Sequence, residues 1–221
     1  MTLYSFVEGP LLWIAFLTLI IGSILKVIFF FSVSAKKDKI IYQHFSWKYI
    51  FGTIVFWLLP VNKAVRKNPI FATLVYIFHI CLFAVPIWLS GHIILWEESR
   101  FGWDWSALPD AWADWMTLIC IGIAFFFFIR RIVSPGIRLI STTSDYMLII
   151  VTVLPFVTGY FLSHGTLDSV RFLDVNMQII HILSAELMLI VIPFTKLSHF
   201  ILFFLSRGVT GIEFGRRGYS M

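Results

Sequence analysis

Five stretches of this 221-residue chain stay apolar for about twenty residues, roughly 10–34, 69–96, 112–129, 142–162 and 175–205, and each is long enough to cross a bilayer core. A segment inside hydrocarbon must satisfy its own backbone hydrogen bonds, which at this length means a helix. The chain is expected to be an all-α integral membrane protein, a five-transmembrane-helix bundle forming a single membrane domain over 1–221. Only 13% of residues are charged, against about a quarter in soluble domains, so no polar shell is available for a soluble alternative. A sixth apolar piece, YIFGTIVFWLLP at 49–60, is too short to cross and has lysines on both sides, which predicts an interfacial helix. MTLYSFVEGPLLW at the start has no basic region of a cleavable signal, so the first apolar segment is expected to remain a span.

Charge sorts the connections. Lys36, Lys37, Lys39, Lys48, Lys63, Arg66 and Lys67 separate the first two segments. Arg130, Arg131 and Arg138 follow the third, and Arg207, Arg216 and Arg217 follow the fifth. The other connections hold only Arg100 and Arg171, against Glu8, Glu97, Glu98, Asp104, Asp110, Asp114, Asp168 and Asp174. The positive-inside rule then puts the N-terminus outside and the C-terminus in the cytoplasm. Trp96, Trp103, Trp105, Trp112 and Trp115 crowd the acidic side as an aromatic belt would. The net charge of +5 is therefore a topological signal, and no nucleic-acid partner is implied. Cys81 and Cys120 fall inside apolar segments and predict buried free thiols.

Histidines inside these segments need a reason, because an unpartnered polar group in hydrocarbon is expensive. The fifth segment carries His181 and His199, eighteen residues apart. On one continuous helix they would share a stripe and lie about 27 Å apart. The second segment carries His79 and His92. With the two segments antiparallel, His79 is level with His199 near the cytoplasm, and His92 with His181 near the outside. Such pairs suit two stacked haems held by imidazole nitrogens. His79 and His92, thirteen residues apart, would sit about 220° apart on an ideal helix. Pro86 between them supplies a kink or π-bulge that re-aims the second half. His164, at the outer end of the fourth segment, is the alternative partner for His181; His44 lies in the basic loop and is expected to be solvated. Glu186 and Lys26 are charges within spans, and with His164 they form the candidate proton or quinone site. Lys196 is expected to snorkel to the cytoplasmic interface.

The chain resembles the gamma (cytochrome b) subunit family of respiratory nitrate reductase. The resemblance rests on FHI at Phe78–Ile80, GH at Gly91–His92, RIVSPGIRLISTTSDYMLI at Arg131–Ile149 and the H-x17-H pattern ending PFTKLSHF. It implies two b-type haems, the inner held by His79 and His199 and the outer by His92 and His181. The wider second-segment spacing points to a sister branch, similar to the cytochrome b subunits of sulfate reducers' transmembrane complexes, sulfite-reductase-linked complexes and membrane heterodisulfide reductases. The resemblance implies a cytoplasmic iron–sulfur partner, with menaquinone or a periplasmic multihaem cytochrome c on the outer side. It also implies a bacterial or archaeal cytoplasmic membrane. The expected role is electron transport across the bilayer, without catalysis by this chain alone. The rival class is a haem-free anchor or transporter using its histidines for proton or metal transit, and repeated halves, usual in transporters, are absent here.

Overall fold

A computed structural model describes residues 2–37, 39–60, 63–165 and 171–219, with only the backbone described at 63–64 and 171–175. Asp168, counted above among the outer charges, lies outside the described residues, as do the side chains of Lys63, Arg171 and Asp174. Among the described residues the chain is helical and has no strand. Five helices are long and apolar enough to span a membrane: Leu3–Lys37, Pro69–Trp88, Asp110–Val133, Thr143–His164 and Asn176–Phe194. This is a multi-pass membrane protein by the length and composition of its helices, called here the first to fifth long helices. The short apolar helix predicted at 49–60 forms over Trp47–Leu58.

The chain divides into two compact units. One comprises Met1–Ala72 and Leu189–Met221. After an α turn at Leu3–Phe6, its first long helix passes through a π turn at Val7–Leu11 around Pro10, which has no N–H to give to a regular α turn. Gly22 of this helix lies so close to Pro193 that an added Cβ would sit 2.6 Å from the proline Cβ. The C-terminal helix His199–Arg216 packs on Trp47–Leu58 through Gly208, Gly211 and Gly215. Side chains on Gly211 and Gly215 would collide with Thr53 and with the Tyr49 ring, so absent side chains set this close approach. Arg207 completes the contact, its guanidinium 3.9 Å from the centre of the Trp57 ring.

The other unit is Thr73–Met188. Cys81, Val85, Cys120 and Phe156 form its buried core, joining the second, third and fourth long helices. Both cysteines are free thiols, as expected from the sequence. The fourth helix begins at a capping box, Thr142 with Asp145, and ends at Gly165 in the left-handed region, φ 57°.

Two segments read as unbroken spans are broken. The stretch 175–205 is not one helix: it stops at Val191, passes through two 3-10 turns and restarts at His199. Pro193 removes a backbone donor, and Thr195 is extended, with its hydroxyl accepting from the Leu197 N–H. The eighteen-residue register that put His181 and His199 on one stripe therefore does not exist. The stretch 69–96 stops at Trp88, turns through Leu89 (φ −71°, ψ 130°) and restarts as Ser90–Glu97. The redirection expected at Pro86 is thus a full helix break three residues later.

Candidate functional site

The break at Leu89 positions the first functional side chain. A helix end leaves four carbonyls without intrahelical partners, which is costly at membrane depth. Here all four are taken. The Leu108 N–H donates to the Trp88 carbonyl at 2.8 Å, and the His92 N–H to that of Leu89 at 3.0 Å. The indole N–H of Trp105 donates to the Ile87 carbonyl at 2.9 Å. The fourth, Pro86, accepts from His92 Nδ1 at 3.0 Å. A carbonyl oxygen cannot donate, so this contact places the proton on Nδ1 and leaves Nε2 of His92 with its lone pair. The loop that supplies Trp105 and Leu108 is stiffened by stacking of Trp96 on Trp103, 5.6 Å between ring centres.

His181 is set by the fourth helix. Its Nδ1 lies 3.2 Å from Thr158 Oγ1, which also contacts Ser184 Oγ at 3.1 Å. The Thr158 hydroxyl donates to the Leu154 carbonyl at 2.9 Å and the Ser184 hydroxyl to the His181 carbonyl at 2.7 Å. With those protons committed, Thr158 Oγ1 accepts from Nδ1–H, which again leaves Nε2 as the imidazole's basic nitrogen. Gly159 makes room for the ring: a Cβ there would stand 2.9 Å from His181 Cε1.

These two histidines meet. The rings of His92 and His181 are nearly parallel, at 8°, with centres 6.1 Å apart. With Nδ1 of each ring held against an oxygen, the pair would offer two Nε2 atoms of the donor type that haem iron takes, the group implied by the sequence resemblance. Among the described residues no group of three or more His, Cys, Asp and Glu is gathered for a metal ion.

His79, half-buried, has Nδ1 2.8 Å from the Val75 carbonyl and belongs to the same unit as His92. His199 belongs to the other unit, at the start of the C-terminal helix, with Nδ1 2.9 Å from the Lys196 carbonyl. All four histidines thus hold Nδ1 against an oxygen, the arrangement typical of metal-ligating imidazoles. His164 does not join His181: it stacks on Tyr160, with Nδ1 3.0 Å from the Tyr160 carbonyl and Nε2 3.4 Å from Asp114. Glu186 is 1% exposed, and neither carboxyl oxygen has a hydrogen-bond partner among the described residues. It lies five residues beyond His181, about 140° round the helix, so it faces away from the imidazole pair. Lys26 is half-buried in the first long helix, and Lys196 is exposed, as a snorkelling lysine would be. Sequence reasoning missed Thr158 and Gly159, and read Trp105 only as part of an aromatic belt. The adjacent small residues Thr158 and Gly159, inside an otherwise bulky helix, were the available signal for a side chain seated against its backbone.

No family model and no solved structure matches the chain. A protein of Nitratidesulfovibrio vulgaris (strain Hildenborough), described only as "Protein", is 34% identical over 224 residues, covering 98% of this chain and 96% of that one. The matched region covers nearly the whole of both chains. The chain belongs to the same family as this Nitratidesulfovibrio vulgaris protein.

Proposed function

We propose that this chain is the di-haem cytochrome b membrane subunit of a respiratory complex, carrying electrons across a bacterial or archaeal cytoplasmic membrane. The observation that carries the reading is the His92–His181 pair, parallel and 6.1 Å between ring centres, with both Nδ1 atoms tied to oxygen. Two imidazoles alone make a poor site for a bare metal ion, whereas a porphyrin brings the other four ligands with it. This favours haem over metal transit. His92 and His181 would hold the outer haem, and His79 and His199 the inner one. When bound, each haem supplies a one-electron iron couple. The chain's part is to fix each imidazole's tautomer, keep the site dry and set its potential through the partners of Nδ1.

The N-terminus is assigned to the outside and the C-terminus to the cytoplasm, on the charge asymmetry of the connections. The partners are a cytoplasmic iron–sulfur subunit and, outside, menaquinone or a multihaem cytochrome c, for which the acidic Trp-rich loop is a suitable surface. Glu186 is the group assigned to hold a proton within the span, on the strength of its burial without a hydrogen-bond partner among the described residues.

Visible spectra of the purified protein, oxidised and dithionite-reduced, test the reading together with a pyridine haemochrome count. Two b haems per chain are expected, falling to one in His92→Ala and in His181→Ala. A chain without an α-band is a haem-free protein, and the proposal fails. Loss of one haem in His164→Ala, with two retained in His92→Ala, would move the outer ligand to the fourth helix.

A further inference from the structure

The first unit contains a second candidate site, unrelated to the histidines and needing no haem. The first long helix ends with Lys36 and Lys37 in its last turn, and Lys39 follows in a short helix, Lys39–Gln43. Together with the C-terminal helix these lysines wall an open cleft of about 570 Å³. Arg216 and Glu213 stand on the opposite wall.

The charges on the two walls differ in kind. Glu213 accepts two hydrogen bonds from Arg216, at 2.7 and 2.8 Å, and also pairs with Arg217. The Arg216 hydrogen bonds, with the charge of Arg217 beside them, hold the Glu213 carboxyl below the ordinary carboxylate range. Its negative charge is thus committed to its own helix. Lys36, Lys37 and Lys39 are exposed and make no ion pair among the described residues. Asp38, between Lys37 and Lys39 in the chain, lies outside the described residues; the three lysines outnumber it, and an anion between like charges relieves their repulsion.

The lining also selects the type of anion. Between the cationic groups the cleft is apolar, with Ile40 53% exposed and Phe214 48% exposed beside buried Ile41. A soluble phosphate has no use for such a surface, whereas a glycerol backbone and the root of an acyl chain do. The cleft also lies where the first membrane-spanning helix ends, at the depth of a lipid headgroup. We infer that the cleft formed by Lys36, Lys37, Lys39 and the C-terminal helix binds an anionic phospholipid of the leaflet into which the first long helix emerges. The phosphate sits among the three ammonium groups, and the glycerol and first methylenes lie on Ile40 and Phe214. The lipid thereby reinforces the packing of the first span's end and the Lys39–Gln43 helix on the C-terminal helix.

Native mass spectrometry of the full-length protein, released from micelles containing phosphatidylcholine with a minority of phosphatidylglycerol, reads this directly. The wild type should retain a phosphatidylglycerol adduct and raise its unfolding temperature when that lipid is added. Replacing Lys36, Lys37 and Lys39 together with Gln should weaken retention about a hundredfold, the sum expected for three basic residues at an anionic surface. The triple Lys→Arg variant should retain it, which separates lost charge from a damaged fold. Equal retention by the Gln variant, or equal retention of phosphatidylcholine, overturns the inference. Displacement of the adduct by inorganic phosphate at matched concentration also overturns it, by making the cleft a site for soluble anions.

Discussion

On the proposed di-haem reading, a single methyl group at Gly159 should remove one haem and leave the other. A Cβ at this position would stand 2.9 Å from His181 Cε1 and 3.3 Å from Nδ1, while ordinary contact begins at 3.4 Å. The imidazole must therefore retreat by 3.4 − 2.9 = 0.5 Å, or the two helices must part. Overpacking of this kind costs about 1–3 kcal/mol, which a bundle of this size survives. Metal ligation by His181 would be less forgiving, because metal–ligand distances hold to about ±0.2 Å. Gly159→Ala is expected to fold, to keep the haem assigned to His79 and His199, and to lose the one assigned to His92 and His181. The haemochrome count then falls from two per chain to one, as in His181→Ala. Gly122→Ala is the control, because no atom lies within 4 Å of a Cβ there, and it should keep both haems. Two haems with unchanged spectra in Gly159→Ala would refute the placement of His181 against the fourth helix.

Thr158→Val should keep both haems but shift the midpoint potential of the outer one, since it removes the acceptor of His181 Nδ1–H; Thr158→Ser should restore it, and identical potentials in redox titration would refute the role. Trp105→Phe strands the Ile87 carbonyl and should destabilise the protein by about 1–3 kcal/mol in thermal unfolding, with looser binding of the outer haem; an unchanged melt would mean that water replaces the indole. Glu213 has its carboxyl lowered by Arg216 and Arg217, so its ion pairs contribute stability above the ordinary carboxylate pKa that is lost as pH falls through the lowered value. Glu213→Gln should accordingly flatten the acid side of the stability–pH curve and leave the neutral side unchanged in shape.

Hydrophobic segment length alone determined that this chain has five helices able to span a membrane, and it placed the short helix at 49–60 within two residues of its observed start. Those features are local, since each helix satisfies its own backbone and each run of about twenty apolar residues states its own length. The candidate histidines were also legible one by one, because an imidazole in a span is anomalous wherever it occurs. What happens at a proline was not legible. Pro86 was visible as a weak point, but a kink and a full break differ in whether the freed carbonyls find donors; Pro193 was not read as a break at all. For Pro86 those donors are His92, Trp105 and Leu108, six to twenty-two residues away in the chain. The break at Thr195 likewise separates His199 from the register of His181, which no periodicity within the segment announces. The ring contact of His92 with His181, and the seating of His181 on Thr158 and Gly159, join residues from separate helices. Only tertiary packing decides such contacts, because they depend on which helix faces approach, and hydropathy is blind to the direction a face points within an apolar helix.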